Sequence, residues 1–98
     1  MDIKKTKNGS ALTCVINGRV DTTTAPELES KLKEDMDDID TLTLDFSAVE
    51  YISSAGLRVL LSAQKVMSKK GGMKITGVSE AIMEIFEVTG FSDILTIE

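Results

Sequence analysis

Histidine and tryptophan do not occur in this chain of 98 residues. Without histidine, the commonest general base and the commonest metal ligand are both missing, so a Ser-His-Asp triad is impossible. The single cysteine, Cys14, excludes an intramolecular disulfide and a cysteine-based zinc site. One Tyr and three Phe are too few for a surface that stacks nucleic-acid bases. Cations are in deficit, eleven Lys and Arg against sixteen Asp and Glu, giving a net charge of −5. Such a balance repels polyphosphate, so nucleic acid is not an expected partner. No run approaches the roughly 18 apolar residues that span a bilayer. The opening Met1-Asp2-Ile3-Lys4-Lys5 leads into no apolar segment, so neither a membrane span nor a secretory signal is expected. With the lone cysteine unpaired, these absences fit a protein of the reducing cytoplasm. What the chain does have is 42% hydrophobic residues at ordinary domain length, enough for one core over residues 1–98.

Strand-type and helix-type patterns alternate along it. Ile3 to Lys7 reads as a Lys-rich strand closed by Asn8-Gly9, and Ala11 to Ile16 as its hairpin partner. The lysines suit an exposed edge. Thr24-Ala25-Pro26-Glu27 fits a helix start with Thr24 as N-cap and Glu27 closing a capping box. Leu28 and Leu32 share the inner face, and Glu27–Lys31 and Glu29–Lys33 are spaced for ion pairs. Leu42 to Phe46 is a third strand, followed by a loop. Ser53 or Ser54 then caps a second helix that ends before Gly71-Gly72, with Leu57, Leu60, Leu61 and Met67 on its apolar face and Leu57 and Leu61 facing inward. Met73 to Gly77 is a fourth strand. Ser79 caps a third helix carrying Ile82 and Phe86, which Gly90 ends, and Ile94 to Ile97 is a fifth strand. The order ββαβαβαβ predicts a mixed α/β sheet, Leu44 and Ile75 in central strands, and right-handed crossovers that put the helices mainly on one face.

The chemistry in these residues alone is sparse. Ser54 at a helix start lacks the G-x-S-x-G context of a nucleophile elbow, having Ile52 at the first glycine position. Lys65 or Lys74 could serve as a base, but neither stands in an S-x-x-K pattern that starts from Ser53 or Ser54. Asp21 and Asp45 at strand ends are candidates to converge on Ser54, for magnesium or acid/base work, or simply to cap turns. Gly71-Gly72 lacks the spacing of a P-loop or dinucleotide fingerprint. Cys14, between apolar neighbours, reads as a buried small hydrophobe.

One segment carries more. Leu44-Asp45-Phe46, a connection, and then Ser53-Ser54-Ala55-Gly56-Leu57 resemble the phosphorylation segment of STAS domains, in particular the bacterial anti-sigma factor antagonists. That family typically shows a strand ending in an L-D-L-type run, then D-S-S-G-L at a helix start. Asn17-Gly18-Arg19-Val20-Asp21 resembles its G-x-x-D turn, and Gly71-Gly72 and Val88-Thr89-Gly90-Phe91 fit its layout. The resemblance implies a single STAS domain over 1–98, with Ser54 as the phosphoacceptor and Ser53 as the competing hydroxyl. Ser53 stands where the family has an aspartate and Ala55 where it has a second serine; Gly56 and Leu57 match. It further implies a partner surface of Asp21, Ser53, Ser54, Gly56, Leu57 and Arg58. The implied partners are an anti-sigma factor that is also a serine kinase and a metal-dependent serine phosphatase. ATP and magnesium belong to the partner, so the chain has no cofactor, metal site or catalytic residue of its own. Two other classes are compatible with the residues: a STAS-type scaffold or signalling module with a different partner, and a small nucleotide-binding protein or enzyme using Asp21, Asp45 and Ser54.

Overall fold

The computed structural model describes residues 1–98. Strand β1 (Asp2–Asn8) turns at Gly9 into β2 (Ala11–Val20), helix α1 (Ala25–Lys33) follows, then β3 (Thr41–Ile52), α2 (Ser54–Met67), β4 (Gly72–Thr76) and α3 (Glu80–Thr89). The sheet order is β1-β2-β3-β4, with β1 antiparallel to β2 and the other pairs parallel. Leu44 and Ile75 are register partners in β3 and β4, both fully buried.

The helices cover one face. Leu12, Cys14 and Ile16 of β2, Leu42, Leu44 and Phe46 of β3, and Met73 and Ile75 of β4 are buried, while the alternating Thr13, Val15, Thr43 and Asp45 stay half-exposed. Phe86 of α3 meets Phe46 with ring centroids 6.3 Å apart, which seats α3 on the same side. Burial pushes the Cys14 thiol up to about 11, so it stays protonated and packs as a hydrophobe.

Several expectations are corrected. The connection after Phe46 is not a loop; β3 continues to Ile52 and β2 to Val20. Register shifts between Val15 and Asn17, and again between Gly18 and Arg19, break the two-residue alternation. Buried positions in β3 therefore step from Phe46 to Val49 to Ile52, three at a time. The Asp45 carboxylate holds the first irregularity by accepting from the Ser47 N–H at 2.9 Å and the Ser47 hydroxyl at 2.7 Å. At the other end, Ile94 to Ile97 do not form a full strand. A 3-10 turn takes Phe91–Asp93, and only Ile97 bridges to Ile75, flanked by bonds of 2.9 Å from Ile75 N–H to Thr96 O and from Glu98 N–H to Ile75 O. Those bonds nonetheless cover part of the β4 edge.

Nor are all the β1 lysines free. Lys5 lies on the helix side, opposite Cys14, and its ammonium reaches Lys31 O at 2.7 Å and the Glu34 and Asp35 carboxylates at 2.8 Å each. This cluster ties the hairpin to the end of α1. Burial pulls the Lys5 amine down, but the bonds to Asp35 and Glu34 outweigh it and raise it overall. On α1 the Glu29–Lys33 pair forms at 3.7 Å, whereas Lys31 turns to Glu34 instead of Glu27.

In α2 the inward face is Leu57, Leu60, Ala63 and Met67, a three-to-four-residue spacing. Leu61, expected inside, is rotated about 100° from Leu60 and is only half-buried. Leu60 is fully buried. Leu60→Ala should therefore cost about 2–5 kcal/mol in urea unfolding, and Leu61→Ala about 1 kcal/mol or less. Equal losses at the two positions would show that the helix is rotated from this orientation.

Candidate functional site

The parallel strands β2 and β3 end together, with Val20 paired to Ile52, so the chain segments that leave them start side by side. From β2 comes the turn at Asp21, and from β3 comes Ser53 with the start of α2. A hydrogen bond of 2.8 Å from Ser53 N–H to Val20 O joins the two exits. The C-terminal edge of a parallel sheet is where α/β folds commonly place functional groups.

Ser53 is the N-cap. Its extended backbone and its Oγ, accepting from Gly56 N–H at 3.4 Å, close the first turn of α2. The choice between Ser53 and Ser54 as cap is thus resolved in favour of Ser53, which leaves the Ser54 hydroxyl uncommitted. Ser54 is the first residue of the helix and is exposed, whereas Ser53 is half-buried.

Gly56, expected on the partner surface, is buried. A Cβ built on it would stand 2.7 Å from side-chain carbons of both Val20 and Ile52, and 3.1 Å from Val20 O. The glycine faces inward and lets the first turn of α2 rest directly on the strand ends. Leu57 follows it into the core, 7% exposed. Gly56 and Leu57 thus position the surface residues Ser53, Ser54 and Arg58 from beneath.

On the other exit, the expected Thr24–Glu27 capping box is absent. Thr24 has near-helical dihedrals and makes no side-chain cap. Its hydroxyl instead donates to Arg19 O at 2.7 Å and accepts from Asp21 N–H at 2.8 Å. Asp21 takes over the capping, its Oδ1 accepting from Thr23 N–H at 3.0 Å, Thr23 Oγ1 at 2.7 Å and Thr24 N–H at 3.1 Å. The Thr23 hydroxyl, helped by the backbone donors, holds the Asp21 carboxyl below the usual aspartate range. Asp21 is therefore a fixed anion beside the serine turn, part of its side chain still open to solvent at 30%.

Arg19 and Tyr51 are the residues that sequence reasoning missed. They are register partners across β2 and β3, with the guanidinium 4.5 Å from the Tyr51 ring centroid and Nε 3.8 Å from Asp21. A third strand that ends at Phe46 leaves Tyr51 outside the sheet and hides this pairing. Arg58, one turn beyond Ser54, is exposed on α2.

Asp45 does not join this group. It lies seven residues before Ile52 in β3, about 20 Å along the strand at ordinary rise, and its carboxylate is occupied by Ser47. The hydrogen bonds to Ser47 hold it below the usual aspartate range. A constellation of Asp21, Asp45 and Ser54 therefore does not assemble. No group of three or more carboxylate or thiol side chains comes together in a way that could hold a metal ion. No helix is long and apolar enough to cross a membrane.

Comparison with known proteins extends the geometry. A family model described as the STAS domain matches residues 2–98. The anti-sigma-B factor antagonist of Bacillus subtilis is 32% identical over 98 residues, covering 99% of this chain and 88% of its own. Among solved structures, an anti-sigma factor antagonist from Mycobacterium paratuberculosis superimposes with a TM-score of 0.88 at 24% identity, over 98% of this chain and 83% of that one. The Bacillus cell fate determinant SpoIIAA in its phosphorylated form superimposes with a TM-score of 0.76 at 12% identity, over 99% of this chain and 91% of that one.

Gly56→Ala should destabilise the fold by about 1–3 kcal/mol, because the added methyl meets two side chains and a backbone oxygen in a closed contact; urea unfolding measures it. Asp21, Asp45, Glu34 and Asp35 all have folded-state carboxyls held below their ordinary values. Their contribution is present above the unfolded carboxylate range of about 4 and is lost as pH falls through the lower folded values. The urea midpoint should be level near neutrality and fall below about pH 4, less steeply in Asp21→Asn. Asp21→Ala should lower the neutral-pH midpoint more than Asp21→Asn, which keeps an acceptor oxygen for the Thr23 and Thr24 amides.

Proposed function

Since this chain belongs to the STAS domain family, we propose that it is an anti-sigma factor antagonist, a regulatory protein of the cytoplasm switched by phosphorylation of Ser54. The observation that carries this reading is an exposed, uncommitted serine hydroxyl at the first position of α2. It lies beside a serine already spent on capping, in a chain 32% identical to an anti-sigma-B factor antagonist. The partner is an anti-sigma factor with serine kinase activity. Unmodified chain binds it and frees its sigma factor.

The chain supplies a nucleophile and a platform, and the partner supplies the catalysis. The Ser54 oxygen attacks the γ-phosphorus of ATP held by the kinase, the bond to the ADP oxygen breaks, and the hydroxyl proton passes to a kinase base. Water, delivered by a metal-dependent serine phosphatase, later replaces the serine oxygen and restores the hydroxyl. Ser54 lies on a rigid base, because Gly56 and Leu57 press the first turn of α2 onto Val20 and Ile52. Asp21 and Arg58 flank it as the charged part of the docking surface.

Phosphate adds about −1.5 to −2 charges at Ser54. The start of α2 tolerates an anion through its unpaired amides and dipole, so the fold survives the modification. The interface does not, because the new charge must be desolvated against partner groups arranged for a neutral hydroxyl. A hundredfold loss of affinity corresponds to only about 2.7 kcal/mol.

Ser54→Ala should abolish phosphate incorporation from the cognate kinase and ATP while keeping partner affinity within about twofold, giving an antagonist that cannot be switched off. Ser53→Ala should still accept phosphate, though with a less stable α2, by about 1 kcal/mol for the lost cap. Peptide-level phosphate mapping by mass spectrometry decides between the serines. Phosphate on Ser53 alone would overturn the assignment, and phosphate on neither would overturn the switch.

A further inference from the structure

The chain has two arginines, and the structure commits only one of them. Arg19 stacks on Tyr51 and approaches Asp21. Arg58 is exposed and enters none of the six ion pairs. It borders a recess between the two first helices, with Pro26 and Glu29 of α1 and Ala55 and Ser62 of α2. The one carboxylate of that recess, Glu29, already has Lys33 at 3.7 Å. Arg58 is thus an uncommitted guanidinium four residues after an uncommitted hydroxyl on one helix. Residues four apart are surface neighbours, and an anion placed N-terminal to a cation at this spacing is the favourable order.

We propose that Arg58 is the chain's own counter-ion for phosphate on Ser54, folding back along α2 to make charge-assisted, two-pronged hydrogen bonds to it. The proposal rests on Ser54 as the modified residue and adds a second part to the switch. In the unmodified chain Arg58 is free to meet an acidic group of the partner. In the modified chain it is drawn onto the phosphate, so a single modification adds negative charge to the surface and withdraws a positive one. A guanidinium suits this better than an ammonium, because its planar fork matches two phosphate oxygens at once.

The test does not need the kinase. Phosphoserine is installed at position 54 by codon reassignment, in chains carrying Arg58, Arg58→Ala or Arg58→Lys, and the phosphate is titrated by phosphorus NMR. A nearby guanidinium favours the dianion, so the second phosphate pKa should be lower with Arg58 than with Ala by about half a unit, with Lys between. The Arg58 Nε–H resonance should move downfield in the phosphorylated chain and not in the unmodified one. Identical titrations for Arg58 and Arg58→Ala, with an unmoved Nε–H resonance, would overturn the proposal. Because the phosphate is placed directly, that result is distinguishable from a failure of Ser54 to be the kinase's target, which phosphate mapping reports separately.

Discussion

Everything at the site depends on one contact without a side chain. Gly56 sets the first turn of α2 against Val20 and Ile52, at a separation that any Cβ would violate. Because Val20 and Ile52 are paired across β2 and β3, this contact fixes the helix start to the sheet end in position and direction. The Ser53 N–H bond to Val20 O and the Ser53 cap on Gly56 complete the same corner. Ser54 is held in place as a consequence of its neighbours' packing and spends none of its own hydrogen-bonding capacity. A regulatory acceptor needs that combination, since a hydroxyl used for capping could not be modified without loosening the helix it caps.

The second exit is built on a different principle. Asp21 replaces a helix-capping side chain at Thr24, and the Thr24 hydroxyl in turn binds back to Arg19 O and Asp21 N–H. A charged group is thereby anchored by Thr23 and Thr24, with Arg19, stacked on Tyr51, approaching it from the far face of the sheet. Asp21 therefore serves folding and surface charge together. The site is one rigid corner with an anion on one side and a free hydroxyl on the other.

How far the sequence made this legible follows from which patterns stay periodic. The α2 and α3 helices were readable because Ser53 and Ser79 precede apolar residues at helical spacing, and Gly90 ends α3 in the left-handed region at φ 81°. The parallel order followed from alternation of strands with helices. The second half of β3 was not readable, because two register shifts change the buried spacing from two residues to three, and a strand with that spacing looks like a loop. That error concealed the Arg19–Tyr51 pair. Thr24 holds the N-cap position of α1 as expected, but its hydroxyl bonds Arg19 O and Asp21 N–H instead of the helix amides, a difference that residue spacing does not reveal. The family resemblance singles out Ser54 and Asp21, which follow the paired strand ends Ile52 and Val20, while Gly56, expected on the partner surface, packs inward. Leu61 shows the limit of helical periodicity where Leu60 and Leu61 are adjacent, since either can face the core and the sheet decides.

The central claim is that phosphate on Ser54 acts at the surface of an unchanged fold. The most direct measurement is calorimetric binding of the anti-sigma partner to unmodified and Ser54-phosphorylated chain, paired with backbone NMR spectra of the two free forms. The account predicts an affinity loss of about a hundredfold or more, with resonance changes confined to the start of α2 and the Asp21 turn. Equal affinities, or changes spread through core residues such as Leu44 and Ile75, would contradict it.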